Sequence, residues 1–217
     1  MASLFVPPEP RSPSVARLLS FCTTEDEKRS ARALEVHLRS TWHEVVRFRS
    51  CIALADLAWT KLSSKDLDHP VRIIFKDFTL ISAHYSITTL FQFNETLITL
   101  YKWAEGSKVA KHIPDVDVAS KAQMLFNKNF PKWEALRHAT AHTEQIRREH
   151  SRNAHRSSLR RSSLQKSKGS DAMIQNIFED RTFITIRKGE LLTLDVTWES
   201  YFSLVAVYDL LHTGMLP

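Results

Sequence analysis

Glycine is what this chain does without. Only 4 of its 217 residues are glycine, against a usual share near ~7%. Glycine supplies positive-φ turns, bulges and phosphate-cradling loops. Neither G-x-G-x-x-G nor G-x-x-x-x-G-K-[ST] occurs, which argues against a dinucleotide fold or a P-loop. Long helices with few connections are left. The stretch from Val71 to Glu105 holds no glycine and no proline. Its many β-branched residues make strand a local competitor, but its length and its apolar recurrence near 3.6 residues predict a helix. Pro70 can start that helix and Gly106 can end it.

The neighbouring segments extend the helical pattern. "SVARLLSFC" predicts a short helix. Thr24 and Glu27 then stand at capping-box spacing, and the acids of "TTEDEK" suit a helix N-terminus. Leu34, Leu38, Trp42, Val45, Val46 and Phe48 recur mostly at three- and four-residue steps, and Cys51, Leu54, Leu57 and Ala58 continue the stripe toward Leu62. A shorter helix follows Pro114, with Val116, Val118, Ala122, Leu125 and Phe126 as its expected buried side. The next helix is "PKWEALRHATAHTEQIRREH", residues 131 to 150, with Trp133, Leu136, Thr140, Thr143 and Ile146 as its core stripe.

The tail changes character. In "RTFITIRKGELLTLDVTW", Ile184 and Ile186 share one face and Phe183, Thr185 and Arg187 the other, while Leu192, Leu194, Val196 and Trp198 alternate with polar residues. Lys188-Gly189 between the halves predicts a β-hairpin. "WESYFSLVAVYDLLHTG" predicts a closing amphipathic helix ending near Gly214.

Hydrophobic content of 43% and charged content of 25% are ordinary globular values. Cys22 and Cys51 sit in apolar helical context without a C-x-x-C pair, so we expect buried free thiols in a reducing compartment. The N-terminus lacks the pattern of a signal peptide, and no apolar run is long enough to span a membrane. A soluble cytoplasmic protein is expected. The prolines at 7, 8, 10 and 13 suggest a disordered or extended lead.

Net charge is +6, unevenly spread. Residues 147 to 168 carry eight Lys/Arg, among them Arg147, Arg148, Arg152, Arg156, Arg160 and Arg161, against the single acid Glu149. That segment holds +7 and leaves the remainder near −1. It would attract phosphates in a salt-dependent way. Such runs are also common as solvated loops, and this one has no interleaved aromatics for base stacking.

One short constellation is a candidate for chemistry, although an Arg and a His on a bundle helix are commonly just solvated or hydrogen-bonded to neighbours. In "LRHATAHTE", Arg137, His138 and His142 lie within one helix. An arginine offers a permanently charged fork for phosphate oxygens, and a histidine moves protons near neutral pH. Five helical residues advance ~7.5 Å and rotate ~140°, so one helix presents Arg137 and His142 on diverging sides. Four groups from two helices would surround a phosphate better than two from one. His138 and His142 have the i, i+4 spacing of a metal pair, but Ala139 stands where a zinc protease needs Glu. No metal or other cofactor is expected.

The segment "RHATAH" at 137–142, with "W-x-x-L" before it, resembles the motif of the HEPN superfamily: Arg, a polar residue, three further residues and His. The resemblance covers residues 131 to 146. It implies a mainly α, HEPN-like helical bundle over 15–150, here with a lead at 1–14, a basic linker at 151–170, and the β-hairpin and closing helix at 171–217. It implies metal-independent cleavage of RNA, with Arg137 on the phosphate, His142 moving the proton and His138 orienting or polarising. It also implies a homodimer and, for toxin or phage-defence members, a nucleotidyltransferase-type antitoxin as partner. Other members of the superfamily keep the fold without cleavage, so a silent binding or scaffold module is the rival expectation.

Overall fold

The structure is a computed structural model, and it describes residues 6–64, 67–141, 177–179, 181–187 and 190–217. It is mainly helical, with one small antiparallel sheet near the C-terminus. After a short helix α1 (Ala16–Phe21) come two helices of 38 residues each, α2 (Glu25–Leu62) and α3 (His69–Gly106). Each is ~57 Å long. They run antiparallel along each other and carry everything else.

α2 starts where its sequence directs. The Thr24 hydroxyl accepts from the Glu27 amide at 3.2 Å, and the Glu27 carboxylate accepts from the Thr24 amide at 3.1 Å, the reciprocal capping box. Three acids occupy the first turn and Lys61 the last, both favourable to the helix dipole. The Lys111 ammonium beside Glu27, with the amides of Thr23 and Thr24, holds that carboxyl well below its ordinary range. α3 is a helix despite its β-branched residues because burial of one whole side decides. Ala83, Ile87, Leu90, Phe93, Leu97 and Leu100 are buried there, opposite Leu34, Leu38, Val45, Phe48 and Ile52 of α2. Two serines inside this seam find carbonyl partners. Ser82 donates to the Cys51 carbonyl at 2.7 Å and Ser86 to the Ser82 carbonyl at 2.9 Å. At the hairpin tip Arg72 donates to the carbonyls of Leu62 and Ser64, both at 3.1 Å.

A 3-10 turn at Ala110–His112 leads to α4 (Val118–Asn129) and α5 (Trp133–Ala141). The closing helix α6 (Trp198–Met215) packs on α4 and α2. An aromatic cluster joins the layers: Phe93 and Phe126 at 5.7 Å between ring centroids, Phe126 and Phe130 at 5.2 Å, Phe48 and Phe130 at 6.3 Å. Gly214 lies one residue before the end of α6, as expected. It lets the helix approach α4, since a Cβ there would lie 2.6 Å from Cβ of Val118. Val116, expected in the core, is exposed because α4 begins two residues later.

The expected hairpin has a third strand. β1 (Ile177–Glu179), β2 (Thr182–Arg187) and β3 (Glu190–Asp195) pair antiparallel in chain order, and Arg187 opposes Glu190, while Lys188 and Gly189 of the expected turn lie outside the described residues. Phe183, Thr185, Leu192 and Leu194 face the core. The first turn of the sheet holds Arg181 at φ 65°, a conformation that a non-glycine residue needs a reason to keep. That reason is Asp56 of α2. It is buried, 3.1 Å from the Arg181 guanidinium, and accepts from the Trp198 indole at 2.8 Å.

The proline-rich lead is extended from residue 6 and strapped to the bundle. Trp42, Arg49, Tyr201 and Tyr208 donate to the carbonyls of Pro10, Pro7, Pro8 and Arg11, at 2.7 to 3.1 Å. Among the described residues no helix is long and apolar enough to cross a membrane.

Candidate functional site around Arg137

α5 opens at Trp133, whose indole donates to Asn127 of α4 at 3.2 Å. The helix then buries Leu136 and Ala139 against α3 and the sheet. This orientation places Arg137 at the edge of the buried side. Its guanidinium carbon lies 3.2 Å from the centroid of the Phe91 ring on α3. Phe91 in turn sits 6.1 Å from Trp133, and Trp133 5.9 Å from Phe126. Arg137 thus rests on an aromatic platform continuous with the core.

The consequence is electrostatic. A guanidinium lying on a ring keeps its face occupied and its N–H edges in plane, a stack worth ~1 kcal/mol or more when half-buried. Among the described residues no carboxylate pairs with Arg137. The nearest acid on its helix, Glu134, lies 3.8 Å from the imidazole of His138 instead. No anion meets this half-buried cation among the described residues, and a phosphate matches its planar fork.

His138 follows Arg137 by one residue, so the two side chains leave the helix ~100° apart. His138 is about two-fifths exposed on the outer side beside Glu134. Arg137 and His138 are therefore not brought together on one wall. His142 lies outside the described residues. So do Thr143 and Ile146 of the expected core stripe, the linker at 151–170, and the cations Arg147, Arg148, Arg152, Arg156, Arg160 and Arg161. Glu95 of α3 faces water.

The sequence gives little warning of Phe91 and Trp133 as partners of Arg137. Phe91 is one aromatic among the 12 phenylalanines of the chain. The one signal is its place in α3, seven residues after His84, since an i, i+7 pair shares a helix side. His84 stacks edge-on against Phe183 of β2 at 5.5 Å, and burial lowers its pKa below the ordinary value. α3, α5 and β2 thus converge along this side of the molecule.

Among the described residues no group of three or more His, Cys, Asp or Glu is arranged to hold a metal ion. No family model, curated protein or solved structure matches the chain. The chemistry of this site therefore has to be argued from its own residues.

Proposed function

We propose that the protein binds RNA through its phosphodiester backbone at Arg137 and cleaves it without a metal ion, in the manner of the HEPN endoribonucleases its motif resembles. The observation that carries this is the Arg137 guanidinium, stacked on Phe91 with no carboxylate partner among the described residues. In this reading Arg137 stabilises the charge that builds on the phosphorus-bound oxygens as the ribose 2′-hydroxyl attacks. His142 takes or gives the proton. His138 polarises from the outer side. The cations from Arg147 to Arg161 raise the local concentration of nucleic acid, and binding weakens with salt. A second copy would supply a second Arg-His set, and an antitoxin-type partner would cover it.

The test uses the purified full chain with single-stranded RNA in EDTA, and expression in cells with growth and RNA integrity as readouts. Wild type is expected to fragment RNA, and Arg137→Ala and His142→Ala to lose cleavage while keeping the helical circular dichroism. Identical behaviour of wild type and His142→Ala removes the nuclease assignment.

The same stack favours a second reading. A cation on a ring also serves as a packing strut, and then the bundle is a catalytically silent module that contacts nucleic acid or an acidic protein. Arg137→Lys separates the two. A lysine keeps the charge and much of the packing but not the bidentate fork. Nuclease function predicts a large activity loss with stability nearly unchanged, whereas a strut predicts RNA binding close to wild type and no cleavage in either protein.

A further inference from the structure

The half of α3 nearest the hairpin tip carries a second apolar side that no described residue covers. Val71, Ile74, Phe78, Ile81 and Tyr85 follow one another at steps of three, four, three and four residues. Phe78 is half-buried, whereas Val71, Ile74, Ile81 and Tyr85 are 38%, 50%, 42% and 64% exposed. The side of α3 that meets α2 is a different one, marked by Thr79, Ser82, Ala83 and Ser86. His84, against Phe183, marks a third. The five residues expose together ~400 Å² of side chain, within the size range of the largest functional patch on a typical monomer.

The spacing says what fits. An alternating three-four step is the 3.5-residue period along which one helix receives another, knob into hole. A lipid surface would accept the same stripe, but it would not distinguish rings from branched aliphatic chains. The order of sizes says which helix. Rings at 78 and 85 alternate with isoleucines at 74 and 81. A parallel copy would set ring against ring and isoleucine against isoleucine, giving layers alternately overfilled and underfilled. An antiparallel two-fold copy sets Ile74 against Tyr85 and Phe78 against Ile81, so every layer holds one ring and one branched aliphatic chain. Such a pairing is isologous and closed. Two patches of this size bury ~800 Å², about two-thirds of the ~1,200 Å² lower bound of a stable interface, and residues flanking the stripe on two 38-residue helices have to supply the rest.

We propose that the seam Val71–Tyr85 of α3 is a self-association surface, on which a second copy of this chain packs its own α3 antiparallel. It is separate from the Arg137 site and does not depend on the function assigned there.

Sedimentation velocity over a concentration series of the full chain tests this. Wild type is expected to pass from monomer to dimer. Ile81→Glu, at an exposed position, is expected to keep the melting temperature yet weaken association about tenfold or more, because a carboxylate would be buried against a ring. Oxidative cross-linking fixes the direction. Ile74→Cys with Tyr85→Cys in one chain is expected to give a covalent dimer, and Tyr85→Cys alone is not. A wild type that stays monomeric at the highest soluble concentration overturns the proposal, as does one that is monomeric but binds lipid vesicles through Ile81. A dimer indifferent to Ile81→Glu places self-association elsewhere, for example on α5, and also overturns it.

Discussion

Removing the carboxylate of Asp56 is the sharpest perturbation of the fold. It joins three elements remote in sequence: α2, the first turn of the sheet through Arg181, and the first turn of α6 through the Trp198 indole. In Asp56→Ala the indole loses a charged acceptor, a loss of ~1.5–3 kcal/mol where water cannot replace it. The Arg181 contact is worth less. That side chain is 38% exposed, so solvent screens the pair and ~0.5–1 kcal/mol is appropriate. The small cavity and the loss of the partner that holds Arg181 at positive φ act in the same direction. The expected cost is ~2–4 kcal/mol, just under the range for breaking a fully buried pair. Asp56→Asn keeps an acceptor for the indole and loses only the charge, so it is expected to cost about half as much. Urea unfolding followed by tryptophan fluorescence measures both, and combination with Trp198→Phe closes a double-mutant cycle with ~1 kcal/mol or more of coupling. A loss below ~0.5 kcal/mol for Asp56→Ala, or equal losses for Ala and Asn, would refute the anchoring role.

Four further outcomes follow from the same structure. Thr24→Ala removes the capping hydroxyl of α2 and is expected to cost ~1 kcal/mol in urea unfolding, with little loss for Thr24→Ser. Gly214→Ala forces α6 away from Val118 and is expected to cost ~1–3 kcal/mol, partly restored when Val118→Ala is added, as thermal melts would show. Burial raises the Cys51 thiol to about 11, so it should stay unmodified by iodoacetamide at neutral pH in native protein and react on unfolding. Burial also lowers the pKa of His37, His84 and His212 below 6.5 in the folded chain. The unfolded chain then binds more protons below that pH, so stability is whole above ~6.5 and declines as pH falls through 6 toward 5. Urea midpoints at pH 7.5 and 5.5 check the sign, and His84→Gln should flatten the slope.

Much of this fold is legible in the sequence because its determinants are local. Thr24 and Glu27 are three residues apart, and their capping box forms as spaced. The absence of glycine and proline between Val71 and Glu105 sets the length of α3, and the alternation in 190–196 sets the inward side of β3. What is not legible depends on partners distant in the chain. β1 has three residues and no pattern of its own, and it exists through its pairing with β2. The straps on the lead link residues 7–11 to positions as far as 208, and proline composition alone gives no hint of them. Arg137 stands out by its motif, but Phe91 beneath it is invisible without the packing of α5 on α3.

α3 also explains why its own segment is the hardest to assign from sequence. A helix with one buried stripe shows a clear apolar period, because its other sides are polar. α3 is apolar on three sides. Leu90, Phe93 and Leu97 meet α2 and α4, Phe91 carries Arg137, and Ile74, Ile81 and Tyr85 face outward. Superposed stripes weaken the 3.6-residue contrast and leave a dense β-branched run that competes locally as a strand. The blurring is therefore informative, since each additional apolar side is a surface that something else must use. Phe91 is used within the chain, and the exposed seam has no such partner among the described residues. If the seam has no partner, replacing Ile74 and Ile81 with Glu should leave the oligomeric state unchanged and only lower residual aggregation. If it is an interface, the same pair of changes removes self-association while the Arg137 platform, on another side of the helix, stays intact.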